Sequence, residues 1–281
     1  MRYVPRFGVC AAVVAVSAMV VVAGCGHAAP APTAPSPPPP MPKYASLTEL
    51  GTAVSNQMRL DKTAKLTLNV AASGKPVTDG EVMLLVGSTG SAVRSDQRVY
   101  TGSAVSEISI IVLPDQVYFK APTLLPLPPG KSWARLRPDT SNSMLQPIVM
   151  AAQETQQNVD PTQRLMQMSG AATIVESAEE SLDGARTMRY RARIDLNKAA
   201  TQVTNPQMKQ NVQRLLALAQ ATGSSTMDYV LWLDERNRLQ RFLVDQPLPG
   251  GQGTVKTEAR YHDWGQPVDI QPPPADQIAD I

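Results

Sequence analysis

The side chains able to do chemistry are few, and they are poorly placed for catalysis. The 281 residues include two cysteines and two histidines. Cys10 lies inside the first apolar run, and Cys25 closes that run behind Val22-Ala23-Gly24. A thiolate readily takes a lipid as a thioether, so a cysteine in this place points to lipid attachment. His27 follows in a proline-rich stretch, and His262 stands beside Asp263 near the last strand pattern. No G-x-S-x-G elbow accompanies His262-Asp263, so the histidine reads as an outward-facing strand residue. The chain has no H-E-x-x-H, no C-x-x-C and no G-x-x-x-x-G-K-[ST] loop. Gly87, Gly90 and Gly102 lie between strand patterns and read as turn glycines. The acid pairs Glu179-Glu180 and Asp234-Glu235 fall at strand ends and turns, where solvated charge is the expectation. The reading is of a non-enzymatic protein with no catalytic residue, no cofactor and no metal site.

The elements that position Cys25 are at the N-terminus. Arg2 and Arg6 precede an apolar stretch from Val9 to Ala23 that only Ser17 interrupts. A positive start followed by an apolar core of roughly 15 residues has the form of an export signal. It is short of the about 20 residues that a spanning helix needs. Small residues and then Cys25 end the run, which resembles a bacterial lipobox: cleavage before the cysteine, then acylation with chains such as palmitate. Each buried CH₂ adds about 0.8 kcal/mol of membrane affinity, so several chains on one residue anchor stably. Residues 1–24 are therefore expected as a lipoprotein signal and Cys25 as the lipidated residue. The protein would sit on the extracytoplasmic side of the cell membrane. Cys10 would leave with the signal, so no disulfide is expected and a core must supply the stability.

Residues 25–43 carry GHAAPAPTAPSPPPPMP, which reads as a disordered, polyproline-like stalk. From residue 26 to 42 it could reach ~50 Å at about 3.1 Å per residue. Residues 44–281 suit a single domain, with no second linker and no repeat. A net charge of +2 with no block of Lys or Arg argues against nucleic acid as a partner.

Within that domain the apolar period changes. Leu47, Leu50, Val54 and Met58 recur at helical spacing, with Ser46 or Thr48 as cap. Strand patterns follow around Leu66-Leu68-Val70, 82–86, 92–101 and 107–113, then a Pro114-Asp115 turn into 116–121. Residues 122–130 read as an irregular segment that still buries Leu124, Leu125 and Leu127, and 133–136 as a short strand. A helical middle comes next, with Met144, Leu145, Ile148 and Val149 on one face, Pro147 as a disturbance and Asp160-Pro161 as a start. Strands are expected at 171–181 and, beyond an Asp183-Gly184 turn, through Met188, Tyr190, Ala192, Ile194 and Leu196. Asn205-Pro206 opens a helix that stops at Gly223. Three strands at 227–234, 238–245 and 254–262 close the sheet, leaving QPPPADQI as a proline-rich tail. Hairpin-linked strands with helices inserted as blocks give an α+β fold around an antiparallel sheet.

One face of every strand is apolar. That face either packs solidly against the helices or leaves a hydrophobic cavity for acyl chains, and methionines at 144, 150, 166, 168, 188, 208 and 227 suit either. The candidate lining is Leu68, Val70, Ile110, Val112, Met144, Ile148, Tyr190, Ile194, Leu215, Leu218, Tyr229 and Leu231.

Four stretches together resemble a known family: residues 22–25, LDGARTMRYRARIDL at 182–196, MDYVLWLDERNRLQRFLV at 227–244 and the closing YHDWGQPVDIQPP. They are similar to the LppX/LprA/LprF/LprG group of actinobacterial lipoproteins and, more distantly, to the LolA/LolB carriers. The resemblance implies a large curved antiparallel sheet, a half-barrel, with helices packed across its concave face. It also implies a membrane-anchored protein that binds acylated lipid or lipoglycan and carries or presents it, with envelope transport proteins as possible partners. The alternative is an envelope scaffold or sensor with a filled core that binds another protein. No family residue carries over to a numbered ligand contact.

Overall fold

Period-two alternation over most of the chain makes strands, and in the computed structural model they form one sheet. The structure describes residues 39–87, 90–123, 125–136, 146, 149, 166–248 and 253–281. Helix α1 (Leu47–Asp61) is capped by Ser46, whose Oγ accepts from the Glu49 amide, and it buries Leu47, Leu50, Val54 and Met58. Four strands follow as a meander: β1 (Thr63–Ala72), β2 (Lys75–Val86), β3 (Ser91–Thr101) and β4 (Ala104–Val112). Strands β5 (Val117–Lys120) and β6 (Trp133–Leu136) extend it. Strands β7 (Ala172–Leu182) and β8 (Ala185–Asp195) are a hairpin on Asp183-Gly184, both in the left-handed region at φ 51° and 84°. Helices α2 (Leu196–Gln202) and α3 (Pro206–Gln220) then precede β9 (Thr226–Leu233), β10 (Leu239–Pro247), β11 (Thr254–His262) and β12 (Ile278–Asp280).

The 12 strands lie in the order β12-β6-β5-β4-β3-β2-β1-β11-β10-β9-β8-β7. All neighbours are antiparallel except β12, which pairs in parallel with β6. The chain is thus an α+β open half-barrel, with α1, α2 and α3 contributing to the core on its concave face. Residues Pro40–Ile281 are one compact unit.

Several expectations change. Strand β2 starts seven residues before the expected Val82, because Lys75–Gly80 pairs with β1 through backbone bonds while showing no apolar alternation. Leu196 is the first residue of α2 rather than the end of a strand; Asp195 caps that helix, accepting from the Asn197 and Lys198 amides. The proline-rich tail adds a strand and a core that its composition did not announce. Val268, Ile270 and Ile278 pack with Ile111, Tyr118 and Trp133 as a second, smaller core on the convex face, and β12 then covers the β6 edge. The parallel register was unreadable because β12 has only three residues. Leu124 and most of the helical middle, with Met144, Ile148 and Asp160-Pro161, lie outside the described residues.

Candidate functional site: the concave face

Cross-strand register makes rows across the concave face. One row runs Tyr190, Leu231, Phe242, Ala259, Leu68, Gly80, Gln97 and Ile108, from β8 to β4. Its exposure is graded. Tyr190 and Leu231 are at 0 %, while Phe242, Leu68 and Ile108 are only partly buried against the core. The β8–β9 part is closed by helices, with Leu196 and Ala199 of α2 and Val212 and Ala219 of α3 buried in the same core. On the β1–β4 part, Leu68, Val70, Val82, Ile108 and Ile110 keep accessible apolar surface, as do Leu215 and Leu216 of α3.

The end of the barrel where β1 begins is locked by polar clamps. Arg238 donates to both carboxylate oxygens of Asp61, at 2.9 and 2.6 Å, and Gln57 adds a third bond at 3.0 Å. Burial pushes the Asp61 pKa up, but these donors and the charges of Arg238 and Arg236 more than offset it, leaving the carboxyl below its ordinary value. Beside it Asp234 accepts from the backbone amides of Arg236 and Arg238, and burial there prevails, raising its pKa. The chain enters against β7 and β8. The Tyr190 hydroxyl donates to the Pro42 carbonyl at 3.0 Å and accepts from the Tyr44 amide at 3.1 Å. Met41, inside the stretch expected as stalk, is buried and donates its amide to Glu179.

The acid pairs expected as solvated are mostly bonded. Glu179 also binds Arg186, which holds its pKa down, and Glu180 accepts from Trp232 Nε1 and Arg189. The reason is the outward arginine set of β8: Arg189, Arg191 and Arg193 meet Glu176, Glu180 and Asp228 on the neighbouring strands. Such exposed pairs contribute little stability each, so this face is a charge-balanced outer wall. His262 points outward as expected and lies 3.4 Å from Asp263, which Lys65 binds at 3.0 Å. Among the described residues no group of three or more His, Cys, Asp or Glu could hold a metal ion.

The expected lining residues divide by depth. Val112, Tyr190, Ile194, Tyr229 and Leu231 are buried, whereas Leu68, Val70, Ile110, Leu215 and Leu218 are half-buried. Met144, Ile148 and Cys25 lie outside the described residues. The described strand members all lie on the concave side, but periodicity carried no depth information. It also missed Phe242, whose ring centroid lies 5.7 Å from that of Tyr229, and the inward polar residues Ser95 and Gln97. Their alternation with Val93 was the available signal.

An open half-barrel with an apolar, unevenly covered concave face is the class that the fold and site define. No family model matches the chain, and no curated protein matches it in sequence. Among solved structures, LprF from Mycobacterium bovis is 14% identical with a TM-score of 0.47, over 82% of this chain and 99% of that one. The Mycobacterium tuberculosis lipoprotein LppX is 13% identical with a TM-score of 0.45, over 80% and 98%. MucB in complex with MucA(peri) is 11% identical with a TM-score of 0.38, over 84% and 62%. With TM-scores below 0.5, these likenesses leave the site to be read from its own residues.

Proposed function

We propose that this is a non-enzymatic envelope lipoprotein, held to the membrane by acylated Cys25, that binds the acyl chains of a lipid or lipoglycan and carries or presents it. The observation that supports this is the graded concave face. A row filled at β8–β9 continues into Leu68 and Ile108, and there, as at Ile110 in the adjacent row, apolar surface stays accessible. Covering such surface is favourable at about 25 cal/mol per Å². An acyl chain can supply that cover, and its head group would stay in water. The binding residues are Leu68, Val70, Ile110, Leu215 and Phe242, with the buried Val112, Tyr190, Ile194, Tyr229 and Leu231 as the floor.

The test is uptake of a fluorescent fatty acid by delipidated protein. Saturable binding that Ile110→Trp weakens is the expected result. Uptake that never saturates would remove the proposal. Mass spectrometry of protein extracted from its host checks the other half, with a diacylglyceryl mass on Cys25 and a co-purifying acyl lipid expected.

A further inference from the structure

One place on the concave face is polar where its neighbours are apolar. Ser95 lies between Val82 on β2 and Ile110 on β4, and Gln97 between Gly80 and Ile108. All share the face of Val93 and Leu84, which belong to the main core. Ser95 is 9 % exposed, and Gln97 is half-buried. Gln97 Nε2 donates to Ser95 Oγ at 2.8 Å, and neither side chain makes another hydrogen bond with a described residue.

The valence count then decides what the pair offers. With Nε2 as the donor, the Ser95 hydroxyl keeps a proton to donate and Gln97 Oε1 accepts from no described residue. With the amide turned over, Ser95 donates to Gln97 and is left as an acceptor, while the amide nitrogen is left as a donor. In either arrangement the pair keeps at least one donor and at least one acceptor that no described residue uses. A Cβ at Gly80 would come within 2.2 Å of the Asp96 carbonyl oxygen, so glycine is required there and β2 places no side chain opposite Gln97.

Resting on the acyl-chain reading above, we infer that the Ser95–Gln97 pair is a recognition site for a hydroxyl group on the bound chain, making hydroxylated acyl lipids the preferred ligand class. A hydroxyl both donates and accepts, so it can bond to a leftover donor and a leftover acceptor of the pair in either arrangement. An unsubstituted chain laid over the same place would bury the leftover donor and acceptor without partners, which is costly. Sites built around such partners reject ligands that lack the matching group. Where packing alone was needed, a Val or Leu at these two positions would have continued the apolar rows.

The experiment uses the full chain in dodecyl maltoside with a bound fluorescent fatty acid, displaced by stearate, 2-hydroxystearate or 12-hydroxystearate. The expected result is that one hydroxylated acid displaces the probe at about three- to tenfold lower concentration than stearate. In Ser95→Ala and Gln97→Leu that ratio falls towards one, with thermal unfolding confirming that each variant is folded. If stearate displaces the probe and neither hydroxylated acid does better, the hydroxyl site is wrong while acyl binding stands. A preference that persists unchanged in both variants places recognition elsewhere and also overturns it. If none of the three acids displaces the probe, both this inference and the acyl-chain reading fail together.

Discussion

Tyr190 and Leu68 occupy the same row of one sheet, four strands apart, and are treated oppositely by the fold. Tyr190 has no exposed surface: its hydroxyl is bonded to the Pro42 carbonyl and the Tyr44 amide. Leu68 has apolar neighbours on its own face but keeps accessible surface. The difference lies in what is inserted after each strand. Between β8 and β9 the chain makes α2 and α3, which lie over the strands they connect. Between β1 and β2 it makes only the tight Ser73-Gly74 turn, with both residues at positive φ, so that connection adds no helix over them. One half of the face is therefore closed core, and the other keeps accessible apolar surface.

That contrast can be broken by mutation. The largest expected effect is at the filled half, where Leu231→Ala should cost about 3 kcal/mol in urea unfolding, since a fully buried leucine leaves a cavity. An equal loss from Leu68→Ala would show that both halves are core. Next, Asp61→Asn should cost about 2 kcal/mol by leaving the Arg238 guanidinium without its charged partner.

The pH dependence of that clamp has a definite sign. The folded pKa of Asp61 lies below its ordinary value, so its contribution is present above the unfolded pKa and lost as pH falls through the folded one. The gap in melting temperature between the native protein and Asp61→Asn should therefore narrow below about pH 4. A gap that is constant down to pH 2 would refute the assignment.

A smaller effect, about 1 kcal/mol, is expected for Tyr190→Phe, which removes the hydroxyl that fixes residues 42 and 44. Its sharper readout is faster proteolysis within residues 39–46. The smallest stability change, below about 1 kcal/mol, is expected for Leu68→Ala, because a partly buried side chain forfeits less burial than a closed one. The same variant should nevertheless weaken fatty-acid uptake severalfold. Unchanged uptake would move the ligand away from β1.

Much of this was legible in the chain. The α1 stripe, the hairpin at Asp183-Gly184, the Asn205-Pro206 helix start and the inward set Met188, Tyr190, Ala192 and Ile194 follow from periods, caps and turn residues. The class of fold follows from their order. These are local properties, because backbone sterics and the hydrophobic effect act on neighbours a few residues apart. Depth is not local. Alternation says that Leu68 and Leu231 face inward, but their burial depends on which strands gain helical cover. The pairing of Ser95 with Gln97, the grip of Arg238 on Asp61 across 177 residues and the parallel docking of β12 depend on strand order in the same way. The sequence by itself determined the elements and their inward faces. Only the tertiary structure decided which part of that face is core and which part stays open, because cover comes from segments remote along the chain.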